Sequence, residues 1–153
     1  YDSTLCPFTA DSLFQKVRDK PNIAVIGTTT DGDVFGGFYS EAVTEQDRSF
    51  YSSNFFIFSF ESHGRCETPQ RYHLKGAREH ITNVRFSSTS DLDGRLITFY
   101  GNAGWFSLGN EQSNTDCFDL SDGFAGIEDT TLTGKRTRER FTCCHLVALQ
   151  LSN

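Results

Sequence analysis

The chain contains no methionine, one tryptophan and three prolines among its 153 residues, and acidic residues outnumber basic ones. No apolar run approaches the ~20 residues that a helix needs to cross a bilayer, so we expect no membrane insertion. The 14 Lys and Arg against 20 Asp and Glu give a net charge of −6. This balance disfavours a general nucleic-acid binder, because such proteins displace counterions with a basic surface.

The cysteines do not follow the pattern of a disulfide framework. Their number is odd, two are adjacent and the others are irregularly spaced: Cys6, Cys66, Cys117, Cys143 and Cys144. The sequence also contains no N-x-Ser/Thr glycosylation acceptor. Both absences favour a reducing compartment, so we expect an intracellular protein of the cytoplasm, with the nucleus as an alternative.

Phenylalanine, by contrast, is abundant, with 15 residues. Each Phe buries a large area with few rotatable bonds, which predicts a rigid, aromatic core. A chain of this length suits one domain over residues 1–153 with a core of its own, and we expect residues 1–7 to form an N-terminal arm.

The stretch 22–43 predicts a β-hairpin around which the rest of the chain is organised. Ile23–Ile26 is a short apolar run, and Val34–Tyr39 reads as the returning strand. Asp31 and Gly32 separate the two runs. They favour a tight turn, because glycine adopts positive φ without a steric penalty and aspartate tolerates it.

Two glycines interrupt the second strand of this hairpin, at Gly36 and Gly37. A strand normally prefers β-branched or aromatic residues at such positions. The glycines therefore predict either a bulge or a place where another backbone or element comes close.

A helix and a series of strands account for the rest of the chain. Thr9 can cap a helix over residues 10–19, whose apolar residues are three and four apart. Further strands are expected at 54–62, 71–75, 84–86, 95–100, 104–108 and 141–151, with polar loops at 45–53, 87–94 and 109–123 and an ambiguous stretch at 78–83. This order predicts a mostly β fold with a few helices, arranged as a two-sheet antiparallel β-sandwich.

Several motifs occur in the order found in one known family. The most specific is TTDGDVFGGFYSE at Thr29–Glu41, and NFFIFSF follows at Asn54–Phe60. A glycine-containing hairpin at Tyr100–Gly109, a cysteine segment at Ser113–Asp119 and a closing strand at Arg140–Leu149 complete the order. On these motifs the chain resembles the TLDc domain of oxidation-resistance proteins over nearly its whole length.

The chain departs from the family pattern in two places. Asn102 and Ala103 break the glycine run of the hairpin, and TCCHLVAL replaces an acidic closing strand. We therefore expect the acidic and aromatic surface that some relatives use for partners to be changed.

The resemblance implies a two-sheet β-sandwich of the TLDc type with flanking helices and no cofactor. It also implies a role in oxidative-stress protection and, as in several members, binding to the vacuolar proton pump. No agreed catalytic chemistry comes with the family. We therefore expect a protein-interaction or regulatory domain whose partner is a protein, with subunits of the vacuolar proton pump as candidates.

An enzyme that acts on an oxidant or a small substrate is the first alternative, with Glu41 and Cys117 as candidate catalytic residues. Glu41 could be a general acid or base if its pKa were raised, whereas the simpler interpretation is a structural carboxylate that accepts backbone N–H bonds. Cys117 would need a nearby cation or a helix N-terminus to become a thiolate. Its neighbours Asp116 and Asp119 act against that, and a buried, inert cysteine is the simpler interpretation.

The sequence GKRTRER concentrates four of the 14 basic residues at Lys135, Arg136, Arg138 and Arg140. In a domain of net charge −6 this loop is a candidate binding site for an acidic partner, phosphate or RNA. The second alternative is therefore a regulatory domain that binds nucleic acid through residues 134–140, and the simpler interpretation is a solvated turn. Trp105, next to Phe106 in the second hairpin, is a further candidate binding residue as an exposed anchor. The simpler interpretation is that one of these two rings is in the core and the other is partly covered, since neighbours on a strand face opposite ways.

Two groupings contain metal-ligating residue types, His63-x-x-Cys66 and Cys143-Cys144-His145. Neither repeats the spacing of a structural zinc site. On a strand, Cys143 and His145 would share one face while Cys144 points the other way. We predict no metal site.

Overall fold

A computed structural model describes residues 1–76 and 82–152. The helices and strands of these residues are, in chain order, α1 Ala10–Val17, β1 Ile23–Thr29, β2 Val34–Tyr39, β3 Ser49–Phe50, β4 Phe56–Glu61, β5 Gln70–Tyr72, β6 Val84–Phe86, β7 Arg95–Tyr100, β8 Trp105–Gly109, β9 Thr115–Phe118, α2 Leu120–Gly123, β10 Arg140–Phe141 and β11 Cys143–Gln150. Neither helix is long and apolar enough to span a membrane within these described ranges.

The strands form two antiparallel sheets, which confirms the predicted fold class. One sheet has the order β11-β1-β2-β4-β5, and the other has the order β10-β9-β8-β7-β6-β3. The inward faces of the two sheets enclose an aromatic core. Within it, the Phe106 ring lies 5.4 Å from Phe35 of the opposite sheet and 5.1 Å from Phe99 of its own sheet, and all three residues are fully buried.

The hairpin of β1 and β2 lies at the centre of the five-stranded sheet. The turn between the strands closes where the Gly32 N–H donates to the Thr29 carbonyl at 2.9 Å. Gly32 has φ +89°, in the left-handed region that glycine adopts without strain. The chain then enters β2 through Asp33, whose carbonyl accepts a hydrogen bond from the Thr29 N–H at 2.9 Å.

Gly36 and Gly37 lie in an uninterrupted stretch of pairing with β1, and each marks a close approach. A Cβ on Gly36 would lie 1.9 Å from the Val25 carbonyl oxygen, and a Cβ on Gly37 would lie 2.6 Å from the Phe99 ring. The register shift between β2 and β4 falls earlier, between Val34 and Phe35. The glycines therefore let β1 and the opposite sheet approach β2.

Helix α1 follows the predicted pattern and ends two residues earlier than expected. The Thr9 side chain caps it by accepting from the Ser12 N–H at 3.3 Å. Leu13, Phe14 and Val17 are buried in the main core. The helix ends at Val17 because Arg18 already has an extended backbone, with φ −52° and ψ 139°.

Two predicted loops contain regular structure, so these loop predictions were wrong. The segment 45–53 includes β3, a two-residue strand that pairs with β6. The segment 109–123 includes β9 and α2. Strand β9 is short, and its outward residues are polar or aromatic, so its alternation is hard to distinguish from a polar loop. Residues 78–81 of the ambiguous stretch lie outside the described residues.

Candidate functional site

Trp105 and Phe118 lie side by side on the outer side of the six-stranded sheet. They are register partners on β8 and β9, and their rings stack 6.0 Å apart with 20° between their planes. The neighbouring register pair, Phe106 and Cys117, points inward, and both of its residues are buried in the core. Since strand side chains alternate between faces, Trp105 and Phe118 are directed away from the core, where both are half-buried.

Two guanidinium groups extend this ring pair at both ends. The Cζ atom of Arg95 lies 4.9 Å from the Trp105 ring centre, and that of Arg138 lies 4.8 Å from the Phe118 ring centre. Such cation–π contacts contribute about 0.5–1 kcal/mol each at exposed sites. We call the surface formed by Arg95, Trp105, Phe118, Arg138 and Arg140 the arginine–aromatic face.

The backbone of the basic loop is attached to β9, which places Arg138 and Arg140 on this face. The Arg138 N–H donates to the Cys117 carbonyl at 2.8 Å. Two residues later Arg140 pairs in register with Asp116. The Thr137 hydroxyl is 3.2 Å from a carboxylate oxygen of Asp119. These contacts join a loop that is remote in sequence from Trp105 to the edge of the same sheet.

The carboxylates near this face neutralise Arg95. The Arg95 guanidinium lies 3.2 Å from Asp93 and 3.7 Å from Asp116. Burial raises the pKa of Asp116, although the nearby Arg95 acts in the opposite direction. Arg138 and Arg140 are exposed, and neither forms an ion pair with any residue in the described ranges.

A family model described as the TLDc domain matches residues 1–121. The chain belongs to the TLDc domain family. No curated protein matches it. In this TLDc domain the segment beyond the matched range remains part of the fold, because β11 pairs along the whole of β1.

The structure brings together three of the five predicted binding residues of this TLDc domain. Trp105, Arg138 and Arg140 share the arginine–aromatic face. Lys135 instead forms an ion pair with Asp31 of the hairpin turn, at 3.1 Å. Arg136 is exposed, and its backbone N–H donates to the Glu139 carboxylate at 2.6 Å.

Glu41 is held by serines where the chain leaves β2. Its carboxylate accepts hydrogen bonds from the Ser53 N–H at 3.0 Å and from the Ser40 hydroxyl at 2.8 Å. Burial raises the pKa of Glu41, but hydrogen bonds from Ser52, Ser53 and Ser40 outweigh it and lower the pKa to about 2. The side chain is therefore a charged acceptor that ties β2 to the segment before β4.

The low pKa of Glu41 makes part of the stability dependent on pH. A folded-state pKa of about 2, below the ordinary value of 4.5, gives stability that is present above pH 4.5 and is lost as the pH falls toward 2. We expect Glu41→Gln to lower the free energy of unfolding at pH 7 by about 1 kcal/mol, since the site is largely solvated. Urea unfolding should show this difference narrowing at pH 3, while Glu45→Gln, a matched charge change in the exposed pair with Arg48, should show no such trend.

Cys117 lies in the core between the two sheets, where it is 1 % exposed. Burial raises the pKa of the Cys117 thiol, and a hydrogen bond with Thr133 opposes this only in part. A thiol in this position is neutral at pH 7 and is covered by its neighbours. Its backbone carbonyl, rather than its sulfur, contributes to the arginine–aromatic face, by accepting from Arg138.

A buried carboxylate that the sequence did not reveal lies just after the hairpin turn. Asp33 is 1 % exposed, and its carboxylate contacts the Arg65 guanidinium and the His63 ring nitrogen Nδ1, the latter at 2.9 Å. Arg65 also donates to the carbonyls of Thr131 and Leu132, at 3.0 and 3.3 Å. Asp33 and Arg65 thus connect the central hairpin to the loop after α2.

The two Cys/His groupings are dispersed among other contacts. His63 contacts Asp33, and the Cys66 thiol lies 3.1 Å from the Tyr72 hydroxyl. His145 lies 2.9 Å from the Asp2 carboxylate, while Cys143 is buried. Within the described residues, no group of three His, Cys, Asp or Glu side chains could hold a metal ion.

The outer side of the five-stranded sheet carries an apolar groove of about 360 Å³. Phe38 and Phe56 stack 5.0 Å apart in it, and Arg71 covers the Phe56 ring at 4.3 Å. Phe60 is 50 % exposed at its edge while Phe58 on the same side of β4 is buried, so the strand that the sequence predicts to be buried is covered only in part on its outer side. The sequence does not reveal this difference between the two sides of β4, because aromatic residues occur on both sides in 54–60.

Proposed function

We propose that this TLDc domain is a protein-interaction module without catalysis of its own. It acts in the cytoplasm, either in oxidative-stress protection or as a regulator of the vacuolar proton pump. The family membership supports the interaction role. The two specific roles are drawn from the resemblance to oxidation-resistance proteins.

The observation that carries this proposal is the arginine–aromatic face. Trp and Arg are the residues most enriched among those that dominate binding energies in protein interfaces. Here Trp105 and Phe118 form a flat, half-buried surface that is flanked by arginines. Because Arg138 and Arg140 are attached to the edge of the sheet, little ordering is needed before a partner binds.

The environments of the two candidate catalytic residues also support a binding role. A general acid or base works best with a pKa near the operating pH, and that of Glu41 is about 2. A nucleophilic cysteine needs an accessible thiolate, and Cys117 is buried with a raised pKa. Both residues are better suited to holding the sandwich together.

Binding to the purified vacuolar proton pump tests the proposed function. We expect the wild-type chain to cosediment with the assembled pump and Arg138→Glu to cosediment at least about tenfold less, because charge reversal at an interface arginine removes the attraction. Arg71→Glu is the matched control, since Arg71 also stacks on a phenylalanine but on the opposite face of the sandwich.

A second arm of the experiment separates the two proposed roles. Cells expressing the wild-type chain or Arg138→Glu are challenged with peroxide, and survival is measured. If Arg138→Glu weakens pump binding but does not change survival, the domain is assigned to pump regulation. If Arg138→Glu lowers survival but does not change pump binding, the domain is assigned to stress protection through another partner. The interaction proposal is wrong if the charge reversal changes neither result.

A further inference from the structure

We propose that the arginine–aromatic face binds an acidic peptide segment of the protein partner. Carboxylates of that segment pair with Arg138 and Arg140, and an apolar or aromatic side chain packs on Trp105 and Phe118. This inference rests on the proposed function and adds to it the chemistry and the location of the interface.

The charge distribution favours an acidic occupant. The whole chain has a net charge of −6, yet three exposed arginines occur within the five residues 136–140. Among the residues that the structure describes, none of the three forms an ion pair. Exposed guanidinium groups that form no ion pair can donate two hydrogen bonds to a carboxylate in a bidentate geometry.

Several polar atoms on the outer side of the six-stranded sheet also lack a hydrogen-bond partner among the described residues. Arg85 and Arg140 belong to one row of cross-strand neighbours, which also contains Thr98, Ser107 and Asp116. In the described part of the chain, four buried atoms of this side have no hydrogen-bond partner: the Nε atoms of Arg85 and Arg95, the hydroxyl of the fully buried Ser107 and one carboxylate oxygen of Asp116. Because these atoms are covered in the free domain, the groups on this side of the sheet that can reach a bound peptide are the exposed Arg138 and Arg140.

The Arg95 side chain covers this row in the free domain. Its backbone is paired opposite Gly109, while its guanidinium reaches the Trp105 ring. Since Ser107 lies between these two positions on β8, the Arg95 side chain must pass over it. Arg95 therefore serves as a support for Trp105, and the exposed Arg138 and Arg140 remain the groups that meet the partner.

Fluorescence anisotropy with a defined probe tests the inference. The probe is a fluorescein-labelled peptide of alternating glutamate and glycine with one central phenylalanine, and the protein is the whole chain. We expect saturable binding that weakens as salt rises, because exposed charges are screened. Arg138→Glu and Arg140→Glu should each weaken binding at least about tenfold, and Arg71→Glu should leave it unchanged.

Two control probes and the pump experiment distinguish the outcomes. The same peptide with glutamine in place of glutamate should bind at least about tenfold more weakly. Tighter binding of a single-stranded RNA oligonucleotide than of the acidic peptide would overturn the inference in favour of nucleic acid. If the peptide does not bind while the pump binds in an Arg138-dependent manner, the acidic-segment inference is wrong and the proposed function stands. If peptide binding, Arg138-dependent pump binding and the Arg138-dependent survival difference are all absent, both proposals are wrong.

Discussion

Replacing Gly36 with alanine is expected to lower the free energy of unfolding by about 3 kcal/mol, the upper part of the usual range for overpacking. The added Cβ would lie 1.9 Å from the Val25 carbonyl oxygen and 3.0 Å from the Phe58 ring. The first contact is with backbone at the centre of the sheet, so no side-chain rotation can relieve it. Either β1 or β2 must move, and the pairing of both with their other neighbours is then disturbed. Urea unfolding measures the change.

Gly64→Ala is the matched control for this substitution. A Cβ on Gly64 meets nothing within 4 Å, although φ is +78°. We therefore expect Gly64→Ala to lower the free energy of unfolding only by the penalty for a left-handed backbone at a non-glycine residue, about 1–2 kcal/mol. If Gly36→Ala costs no more than Gly64→Ala, the two strands of the central hairpin are not packed as closely as described.

Replacing Asp33 with asparagine is expected to cost about 3 kcal/mol. The substitution keeps the shape of the side chain but leaves Arg65 without its counter-charge, and removing one partner of a buried pair is costly for this reason. Arg65 remains 26 % exposed, which keeps the expected value at the lower end of the range for such pairs. The hairpin and the 131–132 loop, which Arg65 joins, should lose stability together.

Asp31→Asn provides the comparison for Asp33→Asn, two residues away in the same turn. Asp31 forms a solvent-exposed ion pair with Lys135, so its loss should cost less than about 1 kcal/mol. Thermal melts and urea unfolding of both variants give the difference. Equal effects of the two substitutions would mean that Asp33 and Arg65 do not act as a buried connection.

Local patterns in the sequence were sufficient to predict the main elements of the fold. The apolar run of β1, the turn at Gly32 and the second hairpin all depend on residues that are close in sequence. Strand β9 was missed because only Thr115 and Cys117 face the core, and two inward residues in a polar segment give almost no periodic signal.

The arginine–aromatic face could be predicted only in part, because it depends on that missing strand. Trp105 and the basic loop were recognised separately, but it is β9 that lies between β8 and β10 and places Phe118 beneath Arg138. The sequence likewise gave no indication that Lys135 pairs with Asp31, more than one hundred residues earlier in the chain. Contacts of such long range follow from the sheet order and not from local residue preferences.

The position of the partner is the central claim, and amide hydrogen exchange tests it most directly. The chain is compared free and bound to the vacuolar proton pump, with exchange followed peptide by peptide. We predict added protection in β8, in β9 and in residues 134–140, with no change on β1 and β4. Protection on β1 and β4 instead, beneath the apolar groove of the opposite sheet, would contradict the account.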